Sequence, residues 1–349
     1  MTPDMSVIAK MGLLMRSFRQ AVRAISLAAT LFAPWCVPEA AAQTLERVTY
    51  TLPWLPVGDY AYYSAGVAQG FYRDEGIDFV INRGFGSIDV VNKLAAGAFT
   101  LGEADISAVI AGRARQNTPV RCIAANQTMN PHALIVLEGS GINTMKDLEG
   151  RTIATQPGNA MLLFFPLIAQ ANSIDTSKVR ILNVEAAAMA GMLLNGRADA
   201  AAFFATNTDF LNRQAQQVGK QVRALRYADY GVQIYGQCIA ATEEAIATKG
   251  DLLRRVVRAT IRARRWAMEH PEETARLHVR QFPEVNANDA LLSWRAAIPY
   301  IFNANTDRDG DGRFNDALLR TTFETVATAQ GLDRNYDYRQ LVDTSLLDR

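Results

Sequence analysis

Histidine and cysteine are scarce in this chain, with three of each in 349 residues. His132, His270 and His278 show no Ser-His-Asp order and no metal-ligand spacing, so the sequence offers no support for triad catalysis or a histidine–cysteine metal centre. Charge of one sign is also lacking. Lys plus Arg total 36 against 35 Asp plus Glu, and setting aside the first 42 residues leaves 32 against 33. A balance this even is not built for nucleic acid. Beyond residue 42 no apolar run approaches the length needed to cross a bilayer, which argues against a sensor fused to a membrane segment.

What is present begins with a leader. Arg16, Arg19 and Arg23 precede an apolar run from Ala24 to Ala33, and Ala40-Ala41-Ala42 stands ahead of Gln43. This order reads as a signal peptide over residues 1–42, with Met15 an alternative start, and its apolar run is too short for a membrane anchor. Cys36 follows Pro34 and Trp35, not the small residues that precede a lipidated cysteine. That leaves Cys122 and Cys238. An oxidising compartment permits a bridge between them, whereas their positions in strand-like runs, Val120 to Ala125 and Gln237 to Ala241, favour two buried thiols. With 49% apolar, 20% charged and 9% aromatic residues, the chain can bury one large core or two medium ones.

The rest is organised around Arg83 to Ile106. Gly84 and Gly86 allow a tight turn at a strand end, Ser87 is suited to cap a helix, and Val90, Val91 and Leu94 give that helix an apolar stripe ending at Gly97. A similar unit recurs where Gln156-Pro157-Gly158-Asn159 precedes a helix and Asn195-Gly196-Arg197-Ala198-Asp199-Ala200 closes another. Two α/β lobes, each a mostly parallel sheet flanked by helices, are the economical reading. Their strand-to-helix turns would face a common ligand.

The sequences LPWLP, GVAQGFYRDEGIDFVI, GFGSIDVVNKLAAG, GEADIS and GINTMKDLEGRTIATQPG follow one another, and GRADAA, ADYGVQIYG and HPEETA come later. In this order they resemble the thiamine-pyrimidine-precursor, nitrate, sulfonate and taurine family of ABC-transporter substrate-binding proteins. The resemblance implies a type II periplasmic binding protein fold, two lobes joined by two crossing strands. It also implies a monomeric periplasmic receptor that is not an enzyme, needs no cofactor, binds no nucleic acid, and delivers a small ligand to an inner-membrane permease. The apolar strand Ala133 to Leu137 leaves the first lobe and Val232 to Ala241 returns, giving lobe 1 as residues 43–133 and 237–349 and lobe 2 as 134–236. A related yeast enzyme makes the thiamine pyrimidine and carries a cysteine-rich stretch; this chain has Ala200-Ala201-Ala202-Phe203-Phe204 instead.

An aromatic-walled cleft suits a flat heterocycle, with Trp54, Tyr60, Tyr63, Phe203, Phe204 and Tyr235 as candidate walls. Glu185 would accept hydrogen bonds from an aminopyrimidine edge, Asn130 and His132 lie at the cleft mouth, and Gln156 is a further candidate in the turn before Gly158. An anion would instead use the helix starts after Gly86-Ser87 and Gly158-Asn159, helped by an arginine such as Arg83. Sulfonate, nitrate and aromatic carboxylates therefore stay open beside the heterocycle. Asp307, Asp309 and Asp311 match the opening of a calcium loop, but Leu318 stands where the closing carboxylate belongs, so a solvated Asp/Gly loop is the plainer reading. The basic run from Arg254 to Arg265 could dock a partner, but at these spacings it mostly covers the solvent face of its helix.

Overall fold

The computed structural model describes residues 44–347, so the signal-peptide segment lies outside the described residues. From Leu45 onward the chain forms one compact unit. It contains two five-stranded sheets. The first is ordered β2-β1-β3-β10-β4, where β1 is Glu46–Thr51, β2 Ile77–Asn82, β3 Leu101–Asp105, β4 Val120–Ala125 and β10 Gln237–Thr242. The second is ordered β7-β6-β8-β5-β9, where β5 is His132–Leu137, β6 Thr152–Thr155, β7 Arg180–Asn183, β8 Ala200–Phe204 and β9 Val222–Arg226.

The same pattern repeats in both. Strands joined by helical crossovers run parallel, β1 with β2 and β3, and β6 with β7 and β8. In each sheet the fourth strand is the one that arrives from the other sheet, and it is antiparallel to both neighbours: β10 between β3 and β4, β5 between β8 and β9. Every residue of β3 is buried, and Ala200-Ala201-Ala202 of β8 leaves room for close helix packing.

The chain passes between sheets through the irregular segment 126–131 and through 227–236, which opens with the 3-10 turn Tyr227–Tyr230, and not through continuous strands as the sequence suggests. These segments lie against each other. Gly236 N donates to Gln127 O over 3.0 Å, and a Cβ at Gly236 would sit 2.8 Å from Gln127 Oε1 and 2.9 Å from Met129 O, so only glycine fits there. Asn130 lies in this hinge, its carboxamide accepting from His132 N and donating towards Val232 O. The ends of β3 and β5 are joined across it by His132 Nε2 and Asp105 Oδ2, 2.6 Å apart and fully buried.

Cys122 and Cys238 are bridged, not two free thiols. Their strands β4 and β10 are neighbours, which brings Cα atoms 116 residues apart in sequence to 5.7 Å. The bond ties the returning strand to the strand from which the chain departed.

The C-terminal helices Gly250–Glu269, Pro271–Gln281 and Ala287–Ile301 pack on the outer side of the first sheet around Tyr50, Tyr62, Trp294 and Val256. The basic helix mostly serves its own lobe, with Arg258 paired to Glu75 and Arg262 to Asp74. Arg264 departs from the solvent-face reading: it is fully buried and pairs with Asp311. That pairing also bears on the calcium pattern, which is not realised as a loop. Asp307 and Asp309 sit on the helix Ala304–Asp309, Asp309 is engaged by Arg308 and Asn315, and among the described residues no group of acids, histidines or cysteines is gathered to hold a metal.

Candidate ligand-binding cleft

The loop after β1 carries Pro53-Trp54-Leu55-Pro56 and is stitched to the turn after β2, with Gly84 N donating to Trp54 O over 3.0 Å and Gly86 N to Pro53 O over 2.8 Å. Trp54 and the start of the helix Ser87–Ala95 are thereby held on one rim. Gly86, with φ of 110°, is the residue before that helix, and Ser87 is its first residue and not its side-chain cap as expected. The Ser87 hydroxyl accepts instead from Asp105 N over 3.0 Å, fastening the helix start to the end of β3.

From the opposite sheet, Gly158 and Asn159 follow β6, and Asn159 caps the 3-10 turn Ala160–Leu163 by accepting from Met161 N over 3.0 Å. The two rims meet. A Cβ at Gly86 would lie 2.6 Å from Gly158 O. Deeper in, Asp59 of the first sheet's turn Gly58–Tyr60 is buried and accepts from the Thr206 hydroxyl and, over 3.2 Å, from Asn207 Nδ2, both beyond β8. Burial pushes its carboxyl up to about 6, with the two donors working in the other direction. At the outer edge Arg213 grips Asp289 through two contacts of 2.5 and 2.6 Å. The cleft is closed.

Between the rims is a narrow inner pocket. Trp54, Val57 and Tyr60 line it from the first sheet, and Met161, Phe203 and Phe204 from the second. Gly86, Ser87, Asp105, Asn159, Asn207 and Gln237 supply its polar border. No lysine, arginine or histidine is among the described residues lining it. The Asp105 carboxylate is already occupied by Ser107 and His132. Gln237 is different: its Nε2 donates to the Tyr60 hydroxyl over 3.2 Å, while its Oε1 is buried without a partner. A ligand N–H or O–H would complete it.

Seven of the residues singled out from the sequence are brought together here: Trp54, Tyr60, Gly86, Ser87, Asn159, Phe203 and Phe204. The others lie elsewhere. Tyr63 is a core residue beneath Tyr50 and Phe79, its hydroxyl accepting from Asn126 Nδ2 over 2.9 Å. Tyr235 packs on Phe314, and its hydroxyl accepts from Asn315 N over 2.7 Å. Glu185 is exposed outside the pocket at the start of the helix Ala186–Leu194. His132 stands behind the wall, buried among Phe164, Phe204 and Tyr227. Gly158 touches Gly86 without lining the pocket, and Gln156 is buried at the end of β6 with both amide atoms unpartnered. Sequence reasoning missed Asp105, Asn207 and Gln237. Asp105 and Asn207 follow the rule that strand carboxyl ends face the ligand, which would have found them. Gln237 begins a returning strand, and nothing local marks it.

The model of the family described as NMT1/THI5 like matches residues 59–274 of this chain. The chain belongs to the NMT1/THI5-like family. Among its relatives, a riboflavin-binding protein, RibY, of Chloroflexus aurantiacus is 28% identical over 313 residues, 86% of each chain. A formylaminopyrimidine-binding protein of Halalkalibacterium halodurans is 24% identical over 74% of this chain and 78% of its own. A 4-amino-5-hydroxymethyl-2-methylpyrimidine phosphate synthase of Legionella pneumophila is 24% identical over 78% of this chain and 86% of its own. In fold, the periplasmic aliphatic sulphonate binding protein SsuA from Escherichia coli superposes with a TM-score of 0.62 over 84% of this chain and 96% of its own, at 17% identity. The two-lobed periplasmic binding protein architecture expected from the sequence is the one observed.

Proposed function

We propose that this NMT1/THI5-like chain is an extracytoplasmic solute-binding protein that closes its two sheets over a neutral, planar nitrogen heterocycle and delivers it to an ABC import permease. The observation that carries the ligand class is the inner pocket itself. It combines aromatic walls from both sheets with the open Gln237 Oε1 and has no cationic side chain in its lining. A flat ring gains roughly 0.5–1.5 kcal/mol from stacking beyond its burial, and a ring N–H satisfies Gln237. Within this inner pocket a sulfonate or nitrate ion would have to give up water with no arginine or lysine in the lining, Arg83 bordering only the adjoining outer pocket. The names of the riboflavin- and formylaminopyrimidine-binding relatives support the same class. Export rests on the leader read from residues 1–42.

A pyrimidine-processing enzyme is the second reading, favoured by the synthase relative. His132, the histidine nearest the pocket, is screened from it and engaged by Asp105, which supports binding without turnover. The test is a thermal-shift and product screen of the mature chain with riboflavin, 4-amino-5-hydroxymethyl-2-methylpyrimidine, taurine and nitrate. The proposal expects a heterocycle to raise Tm, as any ligand selective for the folded state does, and to be recovered unchanged. Stabilisation by taurine or nitrate alone would overturn the ligand class, and multiple-turnover product would overturn the receptor.

A further inference from the structure

A second, roomier pocket adjoins the inner one and shares Trp54, Val57 and Phe203 with it. Those three side chains border both chambers, so a molecule stacked on Trp54 lies directly beside the outer one. The chemistry changes across that boundary. The inner chamber is walled by rings, whereas the outer one presents Arg83, Gln214, Glu284 and Ser293, with Ala186 and Ala190 leaving space on the second-sheet side. Ser293 supplies an independent observation. It is 1% exposed, lies on the helix Ala287–Ile301 and lines the outer chamber, yet its Oγ has no hydrogen-bond partner among the described residues. A buried hydroxyl left unpaired loses its water without replacement, so each such atom calls for an explanation. The inner chamber has the matching feature in Gln237 Oε1. Each chamber thus holds one buried polar atom awaiting a partner.

We propose that the two chambers form one elongated site, and that its ligand is a planar heterocycle bearing a flexible hydroxylated chain, the ring held between Trp54 and Phe203 with an N–H on Gln237 and the chain reaching Ser293. This rests on the heterocycle reading above and narrows it. A bare pyrimidine would leave the outer chamber and the Ser293 hydroxyl unused. A chain rich in hydroxyls both accepts from and donates to Ser293 and suits the mixed-charge border of that chamber.

The probes are riboflavin, which has a ring system and a ribityl chain; lumichrome, the ring system without the chain; and 4-amino-5-hydroxymethyl-2-methylpyrimidine. Calorimetric titration of the full mature chain is expected to give riboflavin an affinity at least tenfold above lumichrome. Ser293→Ala should shrink that ratio by three- to tenfold. A second variant, Ala190→Phe, narrows the outer chamber from the opposite side and should shrink the same ratio even if Ser293→Ala folds poorly. Equal binding of riboflavin and lumichrome, a ratio unchanged in both variants, or binding of the bare pyrimidine alone would overturn the elongated site while leaving a heterocycle receptor standing. Binding of none of the three would remove the heterocycle reading itself.

Discussion

Asp59 and Asn207 hold the cleft shut from within, the Asn207 Nδ2 donating to Asp59 Oδ1 over 3.2 Å between turns that belong to different sheets. The Thr206 hydroxyl engages the other carboxylate oxygen. Two donors do not repay the loss of water, and the carboxyl rises from 3.8 to about 6 on burial.

A pH dependence follows, with its sign set by which state binds the proton more tightly. Opening the cleft returns Asp59 to water and to its ordinary value near 3.8, while the closed form holds its proton up to about 6. Closure is therefore favoured as pH falls through this window and penalised as pH rises through it, by at most about 3 kcal/mol in total. Ligand affinity measured from pH 7.5 down to pH 4.5 should rise. Asp59→Asn should flatten the profile; a variant that retained the slope would assign it to another group.

Arg213 and Asp289 act at the rim, and being partly solvated their pair should contribute little to the fold and something to the lifetime of the closed form. Arg213→Ala is expected to raise the ligand off-rate two- to fivefold, about 0.4–1 kcal/mol, with the effect shrinking at high salt. Stopped-flow displacement at two ionic strengths reads both. An unchanged off-rate at low salt would show that the rim pair has no part in closure.

Reduction of the Cys122–Cys238 bond frees a loop that contains the whole second sheet. Loop-closure entropy for a span of this length gives a loss of about 2–5 kcal/mol, read as a fall in denaturant midpoint for Cys122→Ala/Cys238→Ala. Ligand affinity should hardly move, since neither sulfur lines either chamber. A large loss of affinity without loss of stability would contradict this assignment.

The two sheets were legible because their strands are punctuated by Gly-rich turns at repeating intervals, as in Gly84-Phe85-Gly86-Ser87 and Gly158-Asn159. Which tyrosine faces the ligand was not. Tyr60 and Tyr63 are three residues apart and on a regular helix would share a face, but the 3-10 turn Gly58–Tyr60 gives way to the helix Ala61–Ala68 between them, and Tyr60 reaches the pocket while Tyr63 enters the core. Tyr235 was misleading for another reason. Its partners, Phe314 and Asn315, lie about eighty residues further along the chain. Gln237 stayed invisible because its role depends on a strand returning from the other sheet. The cysteine bridge was open for the same reason: only the placement of β10 beside β4 brings the sulfurs together.

Trp54 is the residue on which both chambers turn, and replacing it tests the central claim most directly. Calorimetric titration of wild type, Trp54→Ala and Ser87→Ala with the same heterocycle should show a loss of about 2–4 kcal/mol for Trp54→Ala, from stacking and burial together. Ser87→Ala, which removes the hydroxyl bonded to Asp105 N, should cost only about 0.5–1.5 kcal/mol for a neutral ligand. Wild-type affinity in Trp54→Ala, or a Ser87 effect larger than the Trp54 effect, would contradict an aromatic-walled heterocycle site and point to an anion at the helix start.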